Sequence, residues 1–446
     1  MNLEPLLQIF VLICFIGLII VLFFEHVDYI LYSVIFIVIA SIVSAIFIPE
    51  VRDFTFFMNN VEWEVIFYFI AIFAIVEILK ENNFFDEIAF RIIKRYGLRP
   101  RKLFYIFCII TTLLASVIAG ISIVAIFVPL IIVVCRKTKI NPTPFLLGIS
   151  VCVNLAATLT PIGSAQNILI ANEFALDFNW FLFRIIPYFF ITLIITLISL
   201  DQFLLKRSLK MPIVVDDKED PLKNDSDIMI KGKGGRLIRK NLSLLIIFVF
   251  CLIIIPEGYL VAIIFTIIFL LFNPRKGDQG NKYSLIHYLQ KVDYKLIYFF
   301  IFLFIFIGLM EINGTLLLLE MFIENLSFQN ELILSIIILI TTSLLSGLLD
   351  NTPVTIIFIP VIRILISSPD FYAFPLLVAF ILGINLGGNF LPQGSPADLM
   401  ILELGRTNKI KDLTYKKMVK IGGFYALIHI LIGIGYLIVI ILFPPT

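Results

Sequence analysis

The chain has 446 residues, 60% of them apolar and 15% charged, with a mean hydropathy of +1.06. A water-soluble domain sits nearer half apolar and a quarter charged, so the composition excludes an ordinary soluble protein and points to an integral membrane one. A net charge of +2 without a basic stripe argues against a nucleic-acid partner, and Cys14, Cys108, Cys135, Cys152 and Cys251 lie singly in apolar runs, which argues against a disulfide framework or a zinc site.

A spanning helix needs ~20 apolar residues. Ten such spans are predicted. The first five lie near Leu6–Phe24, Ile30–Ile48, Val65–Leu79, Pro144–Ala171 and Phe181–Leu205. The second five lie near Leu242–Ile255, Tyr259–Phe272, Leu296–Met310, Ala373–Leu402 and Ile421–Phe443. Leu6–Phe24 reads as a retained helix rather than a signal peptide, because Met1-Asn2-Leu3-Glu4 supplies no basic leader. Between the third and fourth spans, Glu81–Arg101 carries an apolar face of Phe84, Phe85, Ile88, Ala89, Ile92 and Ile93, with Arg91, Lys94 and Arg95 elsewhere. That pattern suits a helix lying in the headgroup layer or an extension of the preceding span. Trp63 and Trp180 fall at span ends, as interfacial indoles do.

Two further apolar stretches, Leu103–Cys135 and Leu332–Ile366, are too long for one helix and suit two shorter helices with a break between. The first is flanked on both sides by basic residues (Lys80–Lys102, then Arg136, Lys137 and Lys139), so it is expected to leave and re-enter on the cytoplasmic face as a re-entrant hairpin. Acidic residues before the second (Glu311, Glu320, Glu324, Glu331) place its hairpin outside. Met211–Gly235 reads as a flexible charged loop. The charge pattern puts both termini outside a cell membrane crossed many times.

Residues 61–169 align without gaps to 292–400, at a constant offset of 231. Ile126-Phe-Val-Pro129 matches Ile357-Phe-Ile-Pro360, Asn154-Leu155 matches Asn385-Leu386, and Pro161, Gly163 and Ser164 match Pro392, Gly394 and Ser395. Shared Asn, Pro, Gly and Ser in one register mark an internal repeat. Five spans per copy is an odd number, so the second copy is inverted, an organisation common among secondary transporters. The expected architecture is all-α. Residues 1–205 form one repeat, with a hairpin near 103–135 and a broken helix near 144–171. Residues 206–240 form a cytoplasmic linker. Residues 241–446 form the second repeat, with a hairpin near 332–366 and a broken helix near 373–402.

Irregular backbone at membrane depth is costly unless protein or a water-filled cavity surrounds it. Asn154–Ser164 and Asn385–Ser395 interrupt two spans, and Ala119-Gly-Ile-Ser122 and Asp350-Asn-Thr-Pro353 form two hairpin tips. A half-helix ending at Asn154 or Asn385 presents unpaired carbonyls that suit Na⁺, and one beginning near Ser164 or Ser395 presents N–H groups that suit an anion. Candidate cation ligands are Asn154, Thr158, Asp350, Asn385, Gly388, Asn389 and Asp398. Candidate substrate contacts are Gly120, Ser122, Thr160, Pro161, Gly163, Ser164, Asn167, Asn351, Thr352, Thr355, Pro392, Gly394 and Ser395. Gln166 points back from the same first turn as Asn167. Asp350 is the sharpest single residue, since an ionisable group inside an apolar stretch costs a few kcal/mol and is functional by default. The alternative is an ordinary Pro/Gly kink in which these side chains only cap helix ends.

Val61-Glu-Trp-Glu-Val-Ile-Phe67, Leu349-Asp-Asn-Thr-Pro-Val-Thr355, Thr160-Pro-Ile-Gly-Ser-Ala-Gln-Asn167 and Gly394-Ser-Pro-Ala-Asp398 resemble the motifs of the ion transporter superfamily. That group holds arsenite permeases, sodium/proton antiporters, citrate transporters and divalent anion/sodium symporters. The resemblance covers about Val61 to Leu404. It implies a homodimer with a fixed scaffold and a mobile unit that moves like an elevator, and a substrate held between hairpin tips and broken helices. Ala119-Gly120 departs from the polar pair many members carry at the first tip. The leading expectation is transport of a small anion (a dicarboxylate, citrate or sulfate) coupled to Na⁺ or H⁺. Sodium/proton antiport or arsenite export is the alternative. No paired catalytic carboxylates, Walker sequence or Ser/His constellation appears, so neither an enzyme nor a resident cofactor beyond the coupling ion is expected.

Overall fold

The structure is a computed structural model. It describes all residues except 1–3, 23–28, 98, 210–234, 256, 276–283, 316–329, 350, 368–370 and 444–446. The described residues form helices and turns, with no strand among them. In chain order they are α1 (Glu4–Leu22), α2 (Tyr29–Phe47), α3 (Phe54–Asn60), α4 (Trp63–Glu81), α5 (Phe84–Tyr96), α6 (Pro100–Ala115), α7 (Gly120–Lys137), α8 (Thr143–Ala156), α9 (Ala165–Glu173) and α10 (Phe178–Leu200). There follow α11 (Gly235–Ile254), α12 (Gly258–Phe272), α13 (Leu285–Leu289), α14 (Tyr294–Ile312), α15 (Glu331–Leu348), α16 (Asn351–Ser367), α17 (Ala373–Gly387), α18 (Pro396–Thr407) and α19 (Tyr415–Leu442). Each expected span has its helix. Among the described residues six helices are long and apolar enough to cross a membrane, and others are shorter apolar helices. The charged 211–235 stretch lies almost wholly outside the described residues.

Helix ends follow local chemistry. Asp53, Ser164, Asp177 and Thr414 cap α3, α9, α10 and α19 through a side-chain oxygen that accepts a first-turn N–H, while Pro100 and Pro396 stand in the first turns of α6 and α18. Asn83, at φ 55°, ends α4 and turns the chain into α5, so α5 is a separate helix rather than an extension of the span. Phe84, Phe85, Ala89 and Ile92 are buried, and Arg91, Lys94 and Arg95 are exposed. The short α3 and the 3₁₀ turn Pro49–Arg52 were not expected, because seven residues are too few to show a periodicity.

The element boundaries carry the repeat. Trp63–Glu81 and Tyr294–Ile312 start and end 231 residues apart, as do the 3₁₀ turns Pro161–Gly163 and Pro392–Gly394. The helices α6, α7, α8 and α9 match α15, α16, α17 and α18 within three residues at either end. Pro129 and Pro360 sit at the same step inside α7 and α16.

The chain folds as two compact units. One comprises residues 1–78, 257–331 and 355–373. In it Phe69 of α4 stacks on Phe300 of α14 at 4.8 Å and 21°. These two rings are equivalent in the repeat, so α4 and α14 meet through a like-with-like contact. Thr266 donates to the Ala71 carbonyl (3.1 Å), and Asn313 donates to Ser44 (2.9 Å). The other unit comprises residues 79–256, 332–354 and 374–446. Its α6 packs along α8 and its α7 along α18. The Arg101 guanidinium grips the buried Asp201 carboxylate at the end of α10 (Nε–Oδ2 2.7 Å), and Tyr105 donates to the same group (3.0 Å). Tyr188 donates to the His429 carbonyl (3.0 Å) and ties α10 to α19.

Candidate transport site

Both broken helices lie in the second unit. The first runs α8, then an irregular stretch with a 3₁₀ turn, then α9. The second repeats this as α17 and α18. The side chains that meet between them are buried and almost all uncharged.

Asn154, in the last turn of α8, reaches across to the second broken helix. Its Nδ2 donates to Asp398 Oδ2 (2.9 Å) and to Asn389 Oδ1 (2.9 Å), and its Oδ1 accepts from Ser395 Oγ (2.8 Å). Asn385, its partner in the repeat, reaches back the other way, and its Nδ2 donates to Asn167 Oδ1 (2.7 Å) and to the Ile381 carbonyl (2.8 Å). Asn167 and Asp398 are themselves equivalent positions, each in the first turn of its second half-helix. The structure therefore makes one contact twice, crossed, with each residue exchanged for its equivalent 231 positions away.

The two copies differ in charge. Asn167 is fully buried, and its Nδ2 donates to the carbonyls of Ala157 (2.6 Å) and Thr160 (3.0 Å) at the first break. Asp398, 3% exposed, has no N–H to give. It accepts from Ser150 Oγ (2.5 Å) and from Asn154, and among the described residues it has no cationic partner. Among the described residues no side chain donates to the corresponding carbonyls of Gly388 and Leu391. Two amide atoms here, Asn385 Oδ1 and Asn389 Nδ2, have no partner among the described residues. Buried polar atoms of this kind need an account.

The remaining sequence candidates sort by what they touch. The Thr160 hydroxyl donates to the Ser116 carbonyl at the first hairpin turn, and the Thr158 hydroxyl to the Leu155 carbonyl of its own helix (2.8 Å). Ser164 caps α9 by accepting from Asn167 N (3.2 Å). Pro161 and Pro392 open the two 3₁₀ turns. Gly163 and Gly394 allow close backbone approach, but to protein. A Cβ on Gly163 would lie 3.0 Å from the Ala157 oxygen and 3.3 Å from the Ser116 oxygen, and one on Gly394 would lie 2.8 Å from the Ser346 oxygen. Gly388 faces Gly394 and Ser395 equally closely. Gly120 packs its backbone on Val153, and Ser122 is half-buried one turn beyond the tip. Asn351, with its amide turned as its neighbours require, donates to Ser346 Oγ and to the carbonyls of Gly394 (3.0 Å) and Ile384 (3.2 Å). Thr352 accepts from Gln166 Nε2 (2.8 Å). Thr355 is buried and belongs to the other unit, and Asp350 lies outside the described residues.

At the first break the structure leaves fewer open carbonyls than the sequence suggests. Turn N–H groups take those of Val153, Leu155 and Ala156, and Asn167 takes those of Ala157 and Thr160. Sequence reasoning did not single out Ser150, Ser346 or Ser116. Ser150 carried a usable signal, since it stands one helical turn before Asn154 on the same face.

Two broken helices inside an apolar protein thus hold a small set of buried amides, hydroxyls and one carboxylate together. The sequence profile of the citrate transporter family matches residues 18–276 and again 259–445. The chain belongs to the citrate transporter family. Across this family member the resemblance to relatives is long but faint. It is 24% identical over 383 residues to an uncharacterised transporter of Mycobacterium tuberculosis (85% of this chain, 86% of the relative). It is 26% identical over 361 residues to a 46 kDa membrane protein of Mycobacterium leprae (78% and 80%), and 23% identical over 379 residues to an uncharacterised transporter of Methanocaldococcus jannaschii (84% and 89%). Its fold is shared with the crystal structure of the Alcanivorax borkumensis YdaH transporter, at a TM-score of 0.66 and 14% identity, over 87% of this chain and 88% of that one. The citrate transporter family member is thus a multi-pass membrane transporter.

Proposed function

We propose that this transporter carries a small anion of the di- or tricarboxylate class, citrate foremost, and couples its movement to a cation, Na⁺ or H⁺. The observation that carries this reading is the crossed pairing of Asn154 with Asp398 and of Asn385 with Asn167. Each contact sets the first turn of one half-helix against the last turn of the opposite one, and the partial positive ends of such first turns favour a negatively charged cargo. The family description supports citrate among such anions. Asp398 is the ionisable group that takes up the coupling cation. A buried carboxylate without a cationic partner is costly as a bare charge and less so once neutralised. An inverted repeat and elevator-like alternating access complete the proposal.

Proteoliposomes holding the purified chain, given an inward H⁺ or Na⁺ gradient, should accumulate labelled citrate. Asn154→Ala should abolish accumulation. Uptake that ignores both the gradient and the substitution would remove this reading. The carboxylate also favours a second reading, cation exchange without organic cargo. A pH-sensitive dye inside the vesicles separates the two, since a Na⁺-driven pH change without citrate belongs to the antiporter.

A further inference from the structure

Away from the broken helices, a cavity of about 710 Å³ opens where the last turns of α5 and α7 meet the start of α6. Among the described residues five basic ones line it (Lys94, Arg95, Arg99, Lys102 and Lys137), and no acidic one does. Arg95 lies over the Tyr96 ring at 5.6 Å. The other four side chains have no ion-pair or hydrogen-bond partner among the described residues, although pairs such as Arg101–Asp201 and Arg91–Glu87 form close by. Like charges gathered round one cavity repel one another, and a bound anion relieves that repulsion.

The surroundings distinguish a lipid from a soluble anion. Below Lys102, Ile106, Ile109 and Leu113 continue along one face of α6 at steps of three and four residues. Ile106 is half-exposed, Ile109 is 37% exposed and Leu113 is 50% exposed. At 1.5 Å per residue this apolar lane reaches ~16 Å from Lys102, close to the ~15 Å depth of one leaflet's hydrocarbon. Beside it, α5 buries an apolar face and exposes a basic one, the pattern of a helix at the headgroup level. A free anion has no use for such a lane. Basic pockets between helices on the cytoplasmic side are where acidic headgroups bind.

We propose that this cavity binds an acidic phospholipid, with the phosphodiester among Arg99, Lys102 and Lys137 and an acyl chain along Ile106, Ile109 and Leu113. The site sits at the base of the α6–α7 pair, so the lipid would hold that pair at headgroup depth.

The test uses the full chain in phosphatidylcholine nanodiscs, with or without phosphatidylglycerol, and in phosphatidylcholine with inorganic phosphate added. Phosphatidylglycerol should raise the melting temperature and stay bound in native mass spectrometry, and inorganic phosphate should do neither. The triple variant Arg99→Gln, Lys102→Gln, Lys137→Gln should bind phosphatidylglycerol about 100-fold more weakly, at roughly fivefold per basic residue, with its melting temperature in phosphatidylcholine unchanged. If the triple variant already melts lower in phosphatidylcholine, the single variants Lys102→Gln and Lys137→Gln carry the test, each expected to weaken binding about fivefold. An equal rise with inorganic phosphate would overturn the lipid assignment, as would a rise in the variants equal to that of the parent, or no rise at all.

Discussion

At the first broken helix the first-turn side chain is Asn167, and at the second it is Asp398. Both accept from an asparagine that ends the opposite incoming half-helix. Beyond that the halves part. The Asn167 amide is spent on two carbonyls of its own break, which closes the first half into a hydrogen-bonded unit. Asp398 has only acceptors to offer, so the second half holds a carboxylate fed by Ser150 and Asn154. One backbone plan thus supports a half closed by an amide and a half that holds a carboxylate. A repeat does not require two equivalent halves, and one atom's difference, nitrogen for oxygen, is enough to give them different hydrogen bonding.

The sharpest way to break this comparison is to exchange the two side chains. Asn167→Asp would set a carboxylate against the carbonyls of Ala157 and Thr160 in a fully buried place. A loss of about 3–5 kcal/mol is expected, of the size seen for an uncompensated buried charge, and read as a large fall in melting temperature. Asp398→Asn should fold nearly as the parent, because it recreates the chemistry of the first half, yet lose gradient-driven citrate accumulation. Equal stability losses in the two variants would refute the division of roles.

Smaller effects sharpen the same contrast. Asn154→Ala strips donors from Asp398 and Asn389, whereas Asn385→Ala strips one from Asn167, whose amide keeps its own two bonds. The first should cost about 2–3 kcal/mol and the second about 1–2 kcal/mol, measured by thermal or denaturant unfolding in detergent. Gly394→Ala and Gly163→Ala press a methyl group onto carbonyl oxygens 2.8 Å and 3.0 Å away. Each should cost about 1–3 kcal/mol, with Gly394→Ala the worse.

The smallest effect lies outside the spans. Burial tends to raise the Asp412 carboxyl, but hydrogen bonds from Lys417 and Asn141 outweigh it and hold the group below the ordinary carboxylate range. The stabilisation is present above the unfolded value near pH ~3.9 and fades as pH falls through the lower folded value. Since Lys417–Asp412 is a half-exposed pair, Asp412→Asn should cost only about 0.5 kcal/mol near neutral pH. The difference between parent and variant melting temperatures should vanish toward acid.

Much of this was legible in the residues. The spans followed from apolar run length, because hydrocarbon leaves the backbone few options but helix. The breaks followed from Asn, Pro, Gly and Ser recurring at one offset, and Pro161–Gly163 and Pro392–Gly394 fall where that register put them. The glycines were legible as close approaches but not for what they approach, since whether a ligand or the Ser346 carbonyl fills the space depends on chain far away in sequence.

The amino-acid order by itself determined the membrane class, the helices, the repeat and the two interruptions, all properties of local hydrophobicity and backbone preference. Tertiary structure alone decided that Asn154 crosses to Asp398 and Asn385 to Asn167, that Ser150 joins the carboxylate, and that Arg101 meets Asp201. Those pairings join residues from about 100 to nearly 250 positions apart. Hydrogen bonding at that separation depends on how helices pack, which no local pattern encodes.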